Sequence, residues 1–253
     1  MEPESRVEVT EAPAPVTPPR GIAPVWHTIV FLVIFGGLSI GGSTRLANAD
    51  SNAHWPIYVE TIVMQWLLVL YVWWGLRLRG RTMRELIGGR WDTLEAALTD
   101  VGIAIGFFFA NILVRAVIAA IVLLFKPNVK AMSMEGMKHV AQVIGPKSMW
   151  ELLLFTGVAV TAGICEEIMF RGYLQQQLIK WTRNTAIGVL LTALLFALGH
   201  LYQGAFLATQ VGLLGLMLGI LAAWRKSLRP GMIAHGAQDV ISGLLTRLLF
   251  SGK

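Results

Sequence analysis

The sequence predicts an all-α fold, a polytopic bundle of transmembrane helices, and three observations support this class. Of the 253 residues, 55% are hydrophobic and 14% are charged, whereas a soluble domain carries about 25% charged residues. The apolar residues are gathered in segments of about 20, the length that a helix needs to cross a bilayer. The basic residues cluster between these segments, as the positive-inside rule describes.

The chain is predicted to have two parts. Residues 1–24 are rich in Pro and Glu, so they are expected to form a disordered cytoplasmic tail. Residues 25–253 are expected to form one membrane-embedded helical domain of about seven spans. These spans are predicted near residues 26–43, 56–76, 97–125, 149–171, 184–201, 205–224 and 231–250.

Local signals refine two of these spans and the segment between the third and the fourth. Asp92, followed by Glu95 three residues later, predicts a capping box at the start of the third span. The fourth span is expected to continue to about Gln177, because no Gly-Pro break follows it. The segment 128–148 is too polar to span a membrane and is predicted to be an amphipathic helix at the outer interface.

The loop charges predict the orientation. With the N-terminus inside, eleven basic residues fall in inner loops and five in outer loops. The inner set is Arg77, Arg79, Arg81, Arg84, Arg90, Arg171, Lys180, Arg183, Arg225, Lys226 and Arg229, and the outer set is Arg45, Lys126, Lys130, Lys138 and Lys147. We therefore expect a protein of the bacterial cytoplasmic (inner) membrane with a cytoplasmic N-terminus. The net charge of +6 comes from these loops and does not indicate a nucleic-acid partner.

Two adjacent glutamates, Glu166 and Glu167, lie within the fourth apolar span. One charged side chain there costs about 2.5 kcal/mol or more, so such a pair must be ion-paired, line a polar cavity or perform chemistry. Glu167 is four residues before Arg171 and is expected to form a structural ion pair with it. Glu166 points about 100° away and is the candidate functional carboxylate.

Later spans supply imidazole groups. His200 ends the fifth span, with Phe196 one turn earlier, and His235 and Asp239 share one face of the seventh. Counting about 1.5 Å per residue places Glu166 and His200 at similar depths, and His235 about 10 Å nearer the inner surface. The seventh span is therefore expected to need a re-entrant or tilted start, or a water-filled vestibule open to the cytoplasm.

Two further residues lie inside predicted spans. Arg115 is expected either to counter Glu166 or to extend towards the outer surface. Cys165, the one cysteine, excludes an intrachain disulfide and is expected to be a packing residue.

Three motifs follow in order, each on its own predicted helix: Glu166-Glu167-x3-Arg171, Phe196-x3-His200 and His235-x3-Asp239. Over residues 149–245 this order resembles the type II CAAX prenyl protease family, also called the Abi or CPBP group. Members of that family are glutamate-dependent intramembrane endopeptidases.

The resemblance implies roles for these positions. Glu166 would activate a water with the help of His200, while His235 and Asp239 would form the wall that stabilises the oxyanion. Because the family often has Asn at the position of Asp239, that carboxylate is expected to orient His235 rather than to donate to the oxyanion. The supporting positions would be Glu167, Arg171 and Phe196.

The favoured mechanism requires no cofactor. Glu166, His200 and His235 also form a reasonable zinc ligand set, although the helical H-E-x-x-H motif is absent. Divalent zinc therefore stays open as an alternative.

The predicted function is an intramembrane endopeptidase that cleaves a membrane-associated protein or peptide, lipidated or not, near the cytoplasmic leaflet. Its partners are then the lipid bilayer and that substrate, and no oligomeric state is predicted. The resemblance implies prenylated CAAX tails as eukaryotic substrates, and bacteriocin maturation or self-immunity for bacterial relatives. Two alternatives are a non-enzymatic immunity or scaffold protein and a proton-coupled transporter, although paired interrupted spans typical of transporters are absent.

Overall fold

The structure is a computed structural model that describes residues 21–47 and 54–250, with the side chains of 43–47 excepted. Within these ranges the chain is helical and contains no strand, which confirms the predicted fold class. The helices are α1 (Val25–Ala47), α2 (Trp55–Arg77), α3 (Met83–Ile87), α4 (Leu94–Phe125), α5 (Val129–Ile144), α6 (Met149–Glu166), a π-helix (Glu167–Leu174), α7 (Gln175–Thr182), α8 (Thr185–Gly199), a short 3₁₀ turn (Leu201–Gln203), α9 (Ala205–Arg225) and α10 (Arg229–Phe250). Most of the predicted tail lies outside the described residues.

A helix is present at each of the seven predicted spans. Five are long and apolar enough to cross a membrane: α1, α2, α4, the continuous helix Met149–Thr182, and α9. The 15 residues of α8 cover about 22 Å, less than the roughly 30 Å of a hydrocarbon core. The helix α10 has 22 residues but a more polar sequence. Membrane crossing by α8 and α10 therefore stays a prediction.

The fourth span is a single long rod formed by α6, the π-helix and α7. It continues through Gln177 to Thr182, as the sequence predicted. All eight residues of the π-helix are buried. Wide π turns of this kind occur frequently at functional sites, and this one follows Glu166 directly.

The rod and α10 approach each other closely at two glycines. A Cβ atom added to Gly163 would lie 2.6 Å from the backbone nitrogen of Gly236, so neither helix could come this near with a larger side chain. This crossing fixes the depth of the glutamates relative to α10.

One end of the bundle, here called the arginine-rich end, comprises the ends of α2, α7 and α9 and the starts of α4, α8 and α10. The buried carboxylate of Asp100 accepts bonds there from Arg225 Nη2 at 2.9 Å and pairs with Arg229 Nε at 3.1 Å. The backbone N–H of Leu228 also donates to the Ile87 carbonyl at 2.9 Å. These contacts hold the start of α10 against α4 and α3.

The opposite end, here called the α5 end, carries the helix predicted for 128–148. The sequence prediction of a helix there is confirmed by α5, whose residues are largely exposed. Its position at a membrane interface stays a prediction. Glu151 accepts bonds from the backbone N–H groups of His54 at 2.9 Å and Lys147 at 2.8 Å, which ties the starts of α2 and α6 together.

The predicted cap of α4 is wrong by one residue. The N-cap is Thr93, whose Oγ1 accepts from the Ala96 N–H at 3.2 Å. Asp92 is turned away and pairs with Arg90 at 3.0 Å, so its carboxylate is not available to cap the helix.

Candidate active site

Glu166 ends α6 and presents its carboxylate to an internal cavity. Its side chain is 16% exposed. Oε1 accepts a hydrogen bond from Gln65 Nε2 on α2 at 3.0 Å, and Oε2 lies 3.9 Å from His235 Nε2 on α10. The carboxylate is therefore held between two other helices while one side stays open to the cavity.

Glu167 is fully buried and makes two charged contacts. Its Oε1 lies 3.0 Å from Arg171 Nη1, which confirms the predicted ion pair, and 3.0 Å from His235 Nδ1. A carboxylate can only accept, so Nδ1 of His235 donates to it. Glu167 thus fixes the ring of His235 while pairing with Arg171.

Phe196 connects the charged groups through ring contacts. The Arg171 guanidinium lies over its ring at 4.3 Å, an arrangement that stabilises a desolvated cation. The same ring lies 4.7 Å from the His200 ring and 6.0 Å from the His235 ring. Phe196 is 1% exposed and therefore works as packing that spaces the two imidazoles.

His200 is the C-cap of α8. Its Nδ1 lies 2.8 Å from the carbonyl oxygen of Phe196. Since a carbonyl only accepts, Nδ1 must carry the hydrogen, and a neutral ring then presents Nε2 as an acceptor. This fixed tautomer suits a group that accepts a hydrogen bond from water.

Asp239 lies 3.6 Å from Nε2 of His235. The sequence interpretation gave Asp239 the role of orienting this ring, but the shorter contact runs from Nδ1 to Glu167. Asp239 instead faces the same imidazole nitrogen that Glu166 approaches.

A cavity of about 420 Å³ brings the four candidate catalytic side chains together. Its wall includes Glu166, His200, His235 and Asp239. It also includes Arg115, which bonds to Gln210 Oε1 at 3.3 Å and so turns into the bundle rather than towards the outer surface.

The predicted depth difference of about 10 Å between Glu166 and His235 is wrong, because their side chains are 3.9 Å apart. The prediction assumed that the end of the rod and the start of α10 lie at the same depth in the membrane. In the structure the rod runs 15 residues beyond Glu167 to Thr182, whereas α10 begins six residues before His235. The rod therefore extends about 14 Å further, and α10 needs no re-entrant start.

A vestibule was expected at the end where α10 begins, which the loop charges assign to the cytoplasm, whereas the cavity lies on the other side of the site. The rod contributes lining residues from Phe155 to Glu166 and none beyond it, and α2 contributes Ile57 to Gln65. The cavity therefore extends from Glu166 towards the α5 end, away from the arginine-rich end.

The described residues contain no group of three or more His, Cys, Asp or Glu side chains arranged to hold a metal ion. Glu166, His200 and His235 are therefore not arranged as a zinc centre in this structure.

Sequence reasoning missed Gln65, the hydrogen-bond donor to Glu166. Its Oε1 is buried without a partner among the described residues. The available signal was an amide inside an otherwise apolar span, since such polar groups usually face a bundle interior. Cys165, in contrast, is free and fully buried in the core, as predicted for a packing residue.

Fold and site together define an α-helical integral membrane protein with buried carboxylates and imidazoles around one cavity. Residues 148–241 match the family described as type II CAAX prenyl endopeptidase Rce1-like. This match confirms the resemblance seen in the three motifs. No curated protein and no solved structure matches the chain significantly. Gln65 and Arg115 lie outside the matched region.

Proposed function

We propose that the protein is an intramembrane endopeptidase that hydrolyses a peptide bond of a membrane-associated polypeptide, lipidated or not, with a water activated by Glu166 and His200. The observation that carries the proposal is the position of the Glu166 carboxylate. It is held by Gln65 on one oxygen, faces His235 with the other, and lines a cavity large enough for a ligand.

The proposed reaction uses two hydrogen-bond acceptors, the Glu166 carboxylate and Nε2 of His200. A water bound between Glu166 and Nε2 of His200 gives a proton to the carboxylate while its oxygen attacks the scissile carbonyl carbon. The carbonyl π electrons move to oxygen and form the tetrahedral oxyanion. Collapse re-forms the carbonyl and breaks the C–N bond, and the departing nitrogen takes the proton from Glu166. General-base catalysis of this kind contributes about 10²- to 10⁴-fold to a rate.

His235 and Arg115 are the groups that can stabilise the oxyanion. Nδ1 of His235 is engaged by Glu167, so a proton on Nε2 would face the cavity and be available to an oxyanion. Asp239 cannot donate a hydrogen bond while it is a carboxylate. Its negative charge instead balances the charges of His235 and Arg115, which line the same cavity wall. One such donor is worth about 3 kcal/mol in comparable sites.

The proposed location is the cytoplasmic membrane of a bacterium, with the N-terminus in the cytoplasm. The loop charges support this orientation. The five long apolar helices support integral membrane insertion.

The test is cleavage of a library of lipidated and unlipidated peptides by purified protein in detergent. We expect the wild type to cleave members of the library and both Glu166→Ala and His200→Ala to lose activity. Equal cleavage by all three would overturn the assignment. No cleavage by any of them, with folding intact, would favour a non-enzymatic immunity or scaffold role.

A chelator added to the same assay separates the metal-free mechanism from a zinc-dependent one. Unchanged activity is expected, because the carboxylate and imidazoles suffice without a metal. Loss of activity that zinc restores would instead assign Glu166, His200 and His235 as ligands.

A further inference from the structure

We propose that the cavity takes its substrate from the extracytoplasmic side, so that the substrate is a membrane-anchored polypeptide whose scissile segment lies in the outer half of the bilayer or just outside it. That the occupant of the cavity is a substrate rests on the proposed function, whereas the direction in which the cavity opens rests on geometry and charge alone.

The cavity lining supports the direction of entry. On each long helix that lines the cavity, the lining residues lie between the site and the α5 end. On α10 they run from His235 to Thr246, and on α1 from Leu38 to Gly42. The link between α5 and α6 contributes Gly145 and Pro146. The cavity therefore reaches the α5 end, where α5 and its connections border it.

The arginine-rich side of the site is closed by buried polar contacts. The hydroxyl of Tyr173 lies 2.7 Å from His27 Nδ1. Gln175 Nε2 donates to the Gly219 carbonyl at 3.0 Å, and Gln177 Nε2 donates to the Ala23 carbonyl at 2.9 Å. These bonds join the rod to α1, α9 and the segment before α1, so a peptide entering from this end would have to break them.

The charge distribution assigns the two ends to the two sides of the membrane. Between residues 25 and 250 the sequence places ten basic residues at the arginine-rich end and six at the α5 end, while Arg115 and Arg171 lie inside the bundle. The ten are Arg77, Arg79, Arg81, Arg84, Arg90, Lys180, Arg183, Arg225, Lys226 and Arg229, and the six are Arg45, Lys126, Lys130, Lys138, Lys147 and Arg247. Arg171, counted earlier as an inner-loop residue, is fully buried against Glu167, and the excess remains without it. The positive-inside rule then places the arginine-rich end in the cytoplasm.

The chemistry of the wall indicates the occupant. The part of the cavity near the α5 end combines Ile57, Ile144 and Phe155 with the hydroxyls of Tyr58 and Thr246, whereas the charged lining residues lie near Glu166. The buried Oε1 of Gln65, which has no partner among the described groups, is placed to accept from a peptide N–H or from water. An extended chain with apolar side chains fits this gradient better than a charged solute does.

The experiment is cysteine labelling in spheroplasts of a bacterial host. Cys165 is the one native cysteine, so Cys165→Ala provides a background without thiols. Three single cysteines are then introduced: Gln142→Cys on α5, Ser242→Cys in the cavity wall, and Thr185→Cys at the start of α8. None of the three changes a charge, so each leaves the charge distribution between the two ends unaltered.

A membrane-impermeant maleimide added to intact spheroplasts is expected to label Q142C and S242C, and to label T185C only after permeabilisation. Labelling of T185C in intact spheroplasts, or failure of S242C to react from the side that labels Q142C, would overturn the proposal. The same pattern is expected with Glu166→Ala added to each reporter. Accessibility does not require hydrolysis, so failure of the protease assignment would leave this result unchanged.

Discussion

The side-chain amide of Gln65 donates a hydrogen bond of 3.0 Å to Oε1 of Glu166 across 101 residues of sequence. It links α2, which lies outside the family match, to the first glutamate of the matched region. In the proposed mechanism this bond would hold the carboxylate in the orientation that attack by water requires.

Replacing Gln65 with Ala should therefore lower kcat. A hydrogen bond to a charged group contributes about 1.5–3 kcal/mol, so the expected loss is about 10- to 100-fold. The measurement is kcat of the variant against the wild type, alongside the thermal unfolding midpoint in detergent. The matched control is Gln142→Ala on the exposed side of α5, which should leave kcat unchanged. An unchanged kcat for Gln65→Ala would remove Gln65 from the site.

The ion pair between Glu167 and Arg171 should be essential for stability. Both side chains are 1% exposed, and removing one partner of such a pair costs about 3–5 kcal/mol because the other charge is left buried. Arg171→Gln is therefore expected to lower the unfolding midpoint strongly. The control is Arg81→Gln, whose partner Glu85 has the same i,i+4 spacing but whose pair is more than half exposed. It should cost at most about 1 kcal/mol, and equal losses for both variants would contradict the account.

Gly163→Ala should separate the rod from α10. The added Cβ would meet the Gly236 backbone at 2.6 Å, and overpacking of this kind costs about 1–3 kcal/mol. It should also reduce activity, because the crossing sets the contact between the glutamates and His235. In the same helix, Gly157→Ala would meet only the Ile62 Cδ1 atom at 3.9 Å and is expected to be neutral or slightly stabilising. A stable and active Gly163→Ala variant would show that the crossing is not needed.

Asp239→Asn should lower activity, but by no more than about tenfold, because the charge that balances His235 and Arg115 is lost while the amide oxygen can stay 3.6 Å from His235 Nε2. Asp239→Ala removes the oxygen as well as the charge and should lose more activity than Asp239→Asn. Initial rates for both variants on one peptide substrate test this order. Equal rates for the two would show that the side chain does not act on His235.

Much of this architecture is predictable from the sequence. Helices were expected wherever apolar runs of about 20 residues occur, and they lie there because a backbone in hydrocarbon must satisfy its own hydrogen bonds. The pairing of Glu167 with Arg171 follows from i,i+4 spacing alone. The three motifs likewise predicted the family whose model matches residues 148–241.

The depth of each helix could not be predicted. The contact between Glu166 and His235 depends on where the rod and α10 cross, and that crossing is set by Gly163 and Gly236, together with the contacts of Asp100 with Arg225 and Arg229. These are long-range packing relationships with no local signal. For the same reason the sequence did not predict on which side of the site the cavity lies.

The most direct test of the central claim is the single-turnover rate of Glu166→Gln, which keeps the shape of the side chain but removes the base. A loss of about 10²- to 10⁴-fold is expected, with an unchanged unfolding midpoint. The control Glu135→Gln, the same change on the exposed face of α5, should keep the wild-type rate. A Glu166→Gln protein that turns over within about tenfold of the wild type would contradict the assignment of Glu166 as the base.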